Sequence, residues 1–256
     1  MKVDVLGLDG KKLSSIELPI QFTEEYEPGL VNRAKLAIFS HLRQPYGTMP
    51  RAGKNYSAKL SRRRRNYKGS YGKGISRVPR KTMWRRGMQF GWVGALISST
   101  VGGRRAHPPK ASKNWELKIN VKERRKAIRS ALSGIQQQNK LTIIDSKFES
   151  IKVTKDVKKV LETLGFDVDG KKIFKAGRGK SRGRAVRYKK NPLVVVTKNC
   201  DVVKALNNLP GYDTIDVKSL NAHLLSLNYN LPRACIFTKN ALETMDKEKL
   251  FIGVKK

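Results

Sequence analysis

The sequence predicts an α/β fold: a mostly parallel sheet flanked by helices, made of residues 1–43 and 111–256. Short apolar segments such as Leu193–Thr197 alternate with stretches of helical periodicity, a pattern typical of such sheets. Two stretches of concentrated positive charge, residues 44–110 and residues 170–191, interrupt this alternation. We therefore predict one globular domain that carries a long basic loop after its first helix and a second basic insertion.

The N-terminal region predicts a β-hairpin followed by a helix. Apolar residues lie on both sides of Asp9-Gly10, a dipeptide that is typical of tight turns between strands. Pro28 suits the first turn of a helix, and the three glutamates just before it lie near the positive end of the helix dipole. Apolar residues from Leu30 to Leu42 share one helical face, and the helix is expected to end near Arg43, because proline and glycine follow.

The rest of the domain is predicted to alternate helices and strands. Asn120 and Glu123 have the spacing of a capping box at the start of a helix that Gly134 is expected to end, and Thr154 is expected to cap another helix. The remaining predicted strands are Leu141–Ile144, Leu193–Thr197, Ile215–Val217 and Ala234–Thr238. The remaining predicted helices are Asp201–Leu209, Ser219–Leu227 and Asn240–Asp246.

The positive charge is local rather than general. The chain has a net charge of +35, and residues 43–110 contain eighteen lysines and arginines without a single acid. Residues 171–190 contain ten more, again without an acid, so the remaining 168 residues have a net charge of only +7. Such a distribution favours a nucleic-acid partner. A membrane surface is less favoured, because glycine and proline interrupt both stretches and prevent a continuous amphipathic helix.

The first basic stretch is not expected to fold by itself. Its charges repel one another, and it lacks the patterned apolar surface that would offset the entropy cost of ordering the chain. An excursion of 67 residues that returns to its start has two legs of up to about 100 Å each. The rest of the domain has a radius of roughly 18 Å. The sequence therefore predicts an extended loop that becomes ordered on a polyanion.

Several features within this loop are typical of RNA binding. The guanidinium groups of Arg62–Arg65 can bridge phosphate oxygens of RNA. The alternative interpretation of this run is a localisation signal or a solvated run of charges. Trp84 lies among arginines, which suits unstacked bases, with a place in a small local core as the alternative. Trp92 is expected to belong to such a core. Gly102–His107 form either a phosphate-binding turn or an ordinary one. The candidate RNA-binding residues of the loop are Tyr46, Arg51, Lys54, Lys59, Arg62, Arg63, Arg64, Arg65, Lys68, Lys73, Arg77, Arg80, Lys81, Trp84, Arg85, Arg86, Gly102, Gly103, Arg104, Arg105 and His107.

The second basic segment contains a Gly-Lys-Ser sequence that invites comparison with the phosphate-binding loop of nucleotide hydrolases. That loop requires a glycine five residues before its Gly-Lys pair, but Phe174 lies five residues before Gly179, and arginines rather than an apolar helix follow. An arginine- and glycine-rich RNA-binding segment is the better interpretation. Its candidate RNA-binding residues are Arg178, Lys180, Arg182, Arg184, Arg187, Tyr188, Lys189 and Lys190.

The sequence does not support catalysis, a metal site or a cofactor. The two cysteines, Cys200 and Cys235, form no CxxC motif, and the three histidines are scattered, as in a cytosolic protein with reduced thiols. Neither basic stretch supplies a carboxylate that would serve as a catalytic base. The N-terminal sequence does not resemble a signal peptide, and no run of about 18 apolar residues is present, so no membrane segment is expected.

Five segments occur in a characteristic order. They are Pro45–Thr48, Ile75–Lys81 (ISRVPRK), Gly102–Pro109 (GGRRAHPP), Asn120–Leu132 and Ala176–Val196. Together they resemble the universal L-four family of large-ribosomal-subunit proteins in its archaeal and eukaryotic form, from about residue 30 to residue 200. The sequence ends at Lys256 without the long basic tail of eukaryotic members, which indicates an archaeal-type member. Leu60–Asn66 is richer in arginine than the glycine-rich tip of eukaryotic members.

The resemblance implies a structural protein of the cytoplasmic ribosome. The globular domain would bind the outer side of the large subunit, and the long loop would pass between ribosomal RNA helices and help to line the nascent-peptide exit tunnel. The implied partners are ribosomal RNA of the large subunit, neighbouring ribosomal proteins and the nascent peptide. Two other hypotheses remain at this point: a nucleotide-dependent RNA-processing enzyme, and a non-ribosomal protein that condenses nucleic acid.

Overall fold

The computed structural model describes residues 2–198, 200–228 and 231–252. The chain forms two compact units. The first, called the α/β unit, comprises Met1–Leu42 and Glu116–Lys256, and the second, called the basic unit, comprises Arg43–Trp115. No helix in the described ranges is long and apolar enough to cross a bilayer.

The elements alternate along the chain. The strands are β1 (Lys2–Leu6), β2 (Lys12–Glu17), β3 (Ala58–Lys59), β4 (Arg80–Arg86), β5 (Gln89–Gly94), β6 (Leu141–Ile144), β7 (Lys172–Phe174), β8 (Val186–Tyr188), β9 (Leu193–Val196), β10 (Asp213–Asp216), β11 (Ser226–Asn228), β12 (Leu231–Pro232) and β13 (Cys235–Thr238). The helices are α1 (Pro28–Leu42), α2 (Val121–Gln137), α3 (Thr154–Thr163), α4 (Asp201–Asn207), α5 (Ala222–Leu225) and α6 (Lys239–Lys247).

The α/β unit is built on a six-stranded sheet in the order β10-β9-β13-β6-β1-β2. All neighbouring strands are parallel except the β1–β2 hairpin at one edge. The hairpin turns at Asp9-Gly10 as the sequence predicted, with Gly10 in the left-handed region at a φ of 73°. The prediction of a mixed α/β fold around a mainly parallel sheet is therefore confirmed.

Two separate cores cover the two faces of this sheet. Successive side chains of a strand point to opposite faces. Leu193 and Val195 accordingly belong to a core with buried residues of α1, α2 and α6, while Val194 and Val196 belong to a core with buried residues of α3 and α4. All four side chains of β9 are buried because helices lie on both sides, which explains the continuous apolar run.

Several predicted boundaries and caps are wrong. Gly134 does not end α2, which continues to Gln137. The glycine instead makes room for Tyr26, whose ring packs where a Cβ of Gly134 would lie. Asn120 makes no side-chain capping bond, and Glu123 instead pairs with Arg33 at 2.8 Å. Helix α3 begins at Thr154 itself, so the predicted cap is displaced by one residue.

The predicted helix from Ser219 to Leu227 is also shorter than expected. Its helical part is α5, of four residues, preceded by a 3-10 turn at Val217–Ser219 and followed directly by β11. Asn221 caps α5 by accepting a hydrogen bond from the Leu224 backbone N–H at 3.0 Å. The apolar periodicity of this region therefore reflects burial of three short elements and not one long helix.

The carboxyl ends of two neighbouring strands, β9 and β13, are tied together by one side chain. Glu149 Oε1 accepts hydrogen bonds from the Thr197 N–H, the Thr197 hydroxyl and the Thr238 hydroxyl at 3.1, 2.9 and 2.6 Å. This edge is where open parallel sheets usually bind nucleotides. In this protein the Glu149 carboxylate occupies that edge, and its negative charge disfavours binding of a phosphate group.

The basic unit contains regular structure that the sequence analysis did not predict. Strands β3, β4 and β5 form an antiparallel sheet, with a two-residue turn at Gly87-Met88 between β4 and β5. The expectation of a loop without elements of its own is wrong in this respect. Within this sheet Trp84 lies opposite Gly91, and its indole covers the place of the missing side chain.

Hydrogen exchange of the free protein tests how this unit behaves without a partner. Few backbone hydrogen bonds lie within residues 50–75, whereas β4 and β5 form a continuous ladder. We expect fast exchange across residues 50–75 and slower exchange across residues 80–94, because an amide is protected only while its hydrogen bond stays closed. Strong protection throughout residues 50–75 would contradict this expectation.

Candidate nucleic-acid interface

Two antiparallel legs close the base of the basic unit. The Thr48 N–H donates to the Pro109 carbonyl at 3.1 Å. Gly47 lies so close to the backbone of residues 109–111 that a Cβ would overlap the Ala111 nitrogen. Gly53, with a φ of 74°, lies equally close to Gly103 and Arg104. Glycine is required at both positions because any side chain would push the legs apart.

Aromatic rings, and not carboxylates, contact several cations of the basic unit. No Asp or Glu occurs between Glu27 and Glu116. The cation–ring distances are 5.2 and 4.7 Å for Arg43 over Tyr46 and Trp115, 5.6 Å for Lys68 over Tyr67, 4.7 Å for Arg77 over Tyr71, 5.1 Å for Arg80 over Trp92, 3.7 Å for Lys81 over Tyr56, and 5.5 Å for Lys113 over Trp115. Each such contact contributes roughly 0.5–1 kcal/mol at an exposed site, which leaves most of the charge repulsion uncompensated.

Arg80 is a buried cation whose hydrogen bonds and ring contact lie within the basic unit. It is only 8% exposed. Its guanidinium donates to the Ser76 carbonyl at 2.6 Å and to the Val78 carbonyl at 3.3 Å, and it stacks on Trp92. Trp92 in turn packs edge-on against Phe90 at 5.4 Å. The structure thus places Arg80, predicted to contact RNA, in a structural position, and it places Trp92 in the small local core that the sequence favoured.

Many of the predicted RNA-binding cations point into solvent. The exposed ones are Arg51, Lys54, Lys59, Arg62, Arg63, Arg64, Arg65, Lys73, Arg77, Arg85, Arg86, Arg104 and Arg105. None of them forms an ion pair with a carboxylate within the part of the chain that the structure describes. His107 is exposed as well, next to Gly102 and Gly103.

The four-arginine run lies in a compact, strained turn. The Ser61 N–H donates to the Lys68 carbonyl at 3.0 Å, and the Gly69 N–H donates to the Asn66 carbonyl at 2.9 Å. Arg65 and Lys68 have φ values of 54° and 59°, in the left-handed region that non-glycine residues rarely adopt. Strain of this kind is typical of functional sites. The four arginine side chains of this short turn are all exposed.

The β4–β5 hairpin presents a second exposed set. Trp84 is 56% exposed, and its indole lies where a Cβ of Gly91 would be. Arg85 donates to the Gly87 carbonyl at 3.2 Å, and Met88 at the turn is 94% exposed. A large aromatic surface with adjacent cations suits stacking on an unpaired base.

The second basic segment forms a hairpin of β7 and β8 in the α/β unit, with Lys172 opposite Tyr188 and Phe174 opposite Val186. Its strands and the loop between them carry the predicted residues outward. The exposed ones are Arg178, Lys180, Arg182, Arg184, Arg187, Tyr188, Lys189 and Lys190. The two basic segments therefore belong to different units.

A buried ion pair that sequence reasoning missed anchors this hairpin to the sheet. Arg233 is 2% exposed, and its guanidinium donates to Asp213 Oδ2 at 2.6 Å and to the Asn191 carbonyl at 2.7 Å. Lys190, the last residue of the hairpin segment before Asn191, donates to the same Asp213 carboxylate at 2.7 Å. Burial acts to raise the pKa of Asp213, but the hydrogen bonds from Lys190 and Arg233 outweigh it and hold the pKa below its ordinary value.

The titratable groups His223 and Cys235 of the described residues lie in packed, partly or fully buried environments. Burial lowers the pKa of His223, whose ring packs edge-on against Phe39 at 4.3 Å. Burial raises the pKa of Cys235 to about 12, which leaves an unreactive thiol. Among the described residues, no group of three or more His, Cys, Asp or Glu side chains is placed to hold a metal ion.

Comparison with known proteins identifies the family. The model of the ribosomal protein L4/L1 family matches residues 16–248. This chain belongs to the ribosomal protein L4/L1 family. It is a family of ribosomal structural proteins and not of enzymes, so the expectation of a non-catalytic protein and the resemblance to the universal L-four proteins are both confirmed.

The relatives are archaeal, in agreement with the predicted type. The chain is 42% identical to the large ribosomal subunit protein uL4 of Nanoarchaeum equitans over 98% of this chain and 100% of that protein. It is 40% identical to the protein of the same name from Archaeoglobus fulgidus, over 95% of this chain and 97% of that protein. The corresponding protein of Methanocaldococcus jannaschii is 38% identical, over 96% and 98%.

Replacing Asp213 by Asn tests the buried anchor of the second basic segment. The change leaves Arg233 buried without its carboxylate, and we expect a loss of about 2 kcal/mol in the free energy of unfolding at neutral pH. Because the folded-state pKa of Asp213 lies below 3.8, the wild-type advantage is present above that pH and disappears as the pH falls through the folded pKa. Urea denaturation at several pH values measures the free energy of unfolding of the wild type and of the variant.

The matched control is Asp169→Asn, which removes the carboxylate of an exposed pair with Lys158. An exposed pair contributes little, so we expect a change within about 0.5 kcal/mol. Equal destabilisation by both substitutions, or a loss for Asp213→Asn that does not depend on pH, would show that the ion pair is not the anchor.

Proposed function

We propose that this protein is a structural constituent of the large ribosomal subunit that binds ribosomal RNA through the basic unit and the second basic segment. Its membership of the ribosomal protein L4/L1 family supports the ribosomal role. One observation supports the RNA-binding mode: the basic unit has nineteen lysines and arginines, no carboxylate, and most of these cations in solvent. A folded RNA supplies the missing anions at the density that these cations need.

The proposal assigns different roles to different residues of the interface. The exposed arginines of residues 62–65 and 104–105 neutralise phosphates, and Trp84 stacks on an unpaired base. Arg80 keeps its position by internal hydrogen bonds and positions the hairpin. Residues 44–110 pass between RNA helices and help to line the exit tunnel, where they contact the nascent peptide. Neighbouring ribosomal proteins of the large subunit complete the set of partners, and the protein acts on the cytoplasmic ribosome.

A loop-replacement variant tests this function. Ser40 Oγ accepts a hydrogen bond from the Leu117 N–H at 2.8 Å, so the two chain ends that flank the basic unit lie close together in the α/β unit. A short linker can therefore replace residues 44–110. We expect roughly 100-fold or greater loss of affinity for a ribosomal RNA fragment near 0.1 M salt, together with a shallower salt dependence. Unchanged affinity and salt slope would rule out the proposed mode, and competition with duplex DNA separates RNA recognition from general condensation.

Replacing the four arginines Arg62–Arg65 by glutamine tests the strained turn. If each guanidinium neutralises one phosphate, the slope of log affinity against log salt should fall by about 3. The control replaces Lys2, Lys12, Lys158 and Lys247 by glutamine, the same loss of charge from lysines that already pair with carboxylates in the α/β unit. Equal slopes for the two variants would mean that net charge, and not this turn, determines binding.

A further inference from the structure

The base of the basic unit encloses a cavity of about 700 Å³ between its two legs. Tyr46 lies on one side, and His107, Lys110, Lys113 and Trp115 line the returning leg. A second cavity of about 320 Å³ shares Arg105, Pro108 and Lys110 with the first. These volumes fall in the range of small-molecule sites. Because they share part of their lining, the two cavities are adjacent, and we refer to them together as the cleft, with the larger as its first compartment and the smaller as its second.

The first compartment has an aromatic wall. The rings of Tyr46 and Trp115 lie 4.6 Å apart at an angle of 38°, and the Arg43 guanidinium contacts both. Tyr46 nevertheless remains 51% exposed, so its ring is only partly covered by these neighbours. A partly exposed aromatic pair beside a cation is suited to stacking on a planar base.

The lining of the cleft is cationic and contains no carboxylate. Arg105, Lys110 and Lys113 are exposed, and none of them pairs with an acid within the described residues. The indole nitrogen of Trp115 is buried and has no hydrogen-bond acceptor in the protein. Buried donors without an acceptor are uncommon in folded proteins. The cleft therefore combines a partly exposed aromatic wall with several phosphate-binding groups.

We propose that this cleft binds an unpaired nucleotide of RNA, with its base against Tyr46 and its phosphate between Arg105 and Lys110. The second compartment receives the adjacent nucleotide. An acidic peptide would satisfy the cations but would leave the aromatic wall without a planar partner, so RNA is favoured. The inference rests on the proposed RNA-binding function and adds that the base of the unit recognises a single-stranded or bulged segment, while the arginine turn binds phosphates alone.

Binding of mononucleotides to the full chain labelled with 5-fluorotryptophan tests this cleft. The protein has three tryptophans, and the Trp115→Phe variant identifies the Trp115 fluorine signal by its loss. We expect AMP and UMP to shift this signal at millimolar concentration, while inorganic phosphate at the same ionic strength leaves it in place. Trp92, which packs in the local core, serves as the internal reference.

Tyr46→Leu provides the affinity test. Loss of one stacking surface should weaken binding of a single-stranded oligoribonucleotide about tenfold. The salt slope should not change, because no charge is removed, and binding of the same sequence as a duplex should also not change. Phe39→Leu, an aromatic substitution on α1, is the matched control and should leave affinity intact. If Tyr46→Leu does not fold, Trp115→Phe replaces it, with loss of the indole donor as the change that is measured.

Three outcomes would overturn the inference while the proposed function stands. The first is equal shifts of the Trp115 signal by phosphate and by AMP, which would indicate an anion site only. The second is displacement of AMP by an acidic peptide at similar concentration, which would indicate a protein partner. The third is unchanged oligonucleotide affinity in Tyr46→Leu although replacement of residues 44–110 still abolishes binding. Failure of the proposed function differs from all three, because that loop replacement would then have no effect.

Discussion

Repulsion among cations without a single acid is the constraint on which the basic unit depends. Arg43–Trp115 contains nineteen lysines and arginines. Within this unit, their charged groups contact aromatic rings and donate hydrogen bonds to backbone carbonyls. Arg80 shows this arrangement most completely, with two carbonyl acceptors and the Trp92 ring. Rings and carbonyls stabilise individual cations without cancelling their charge. The unit thus folds around its charges and still presents them to a polyanion.

In the α/β unit, by contrast, many charged side chains form ion pairs with one another. All ion pairs between side chains in the described residues lie within it, and several of them join different elements, as Arg33 of α1 and Glu123 of α2 do at 2.8 Å. Its sheet is covered on both faces, and the carboxyl ends of its central strands are held by Glu149. This unit provides a stable base for a second basic segment whose charges point outward.

The two basic segments are fixed by different means. Glycine contacts between two legs close the first, and the tight approach at Gly47 and Gly53 replaces a core that this composition does not allow. The second is anchored by a buried charge pair, Arg233 with Asp213, to which Lys190 adds a third partner. A buried pair of this kind contributes definite geometry more than net stability. In each case the exposed cations extend from a point where the backbone position is well determined.

The sequence by itself determined the fold class, the approximate positions along the chain of the six strands of the main sheet, and the location of the positive charge. These follow from local information, because alternation, apolar runs and charge counts are visible within a few residues. The tertiary structure decided the features that depend on distant partners. Gly134 lies inside α2 because Tyr26 packs on it, and Arg80 is buried because Trp92 covers it.

The residues of the candidate site divide in the same way. Its exposed arginines were predictable, because an acid-free basic stretch has no internal partner for them. The Arg233–Asp213 anchor and the Tyr46–Trp115 pair were not, since each joins residues that are far apart in the chain and carry no local pattern. A sequence states which groups need a partner, but only the folded chain determines which partner each group meets.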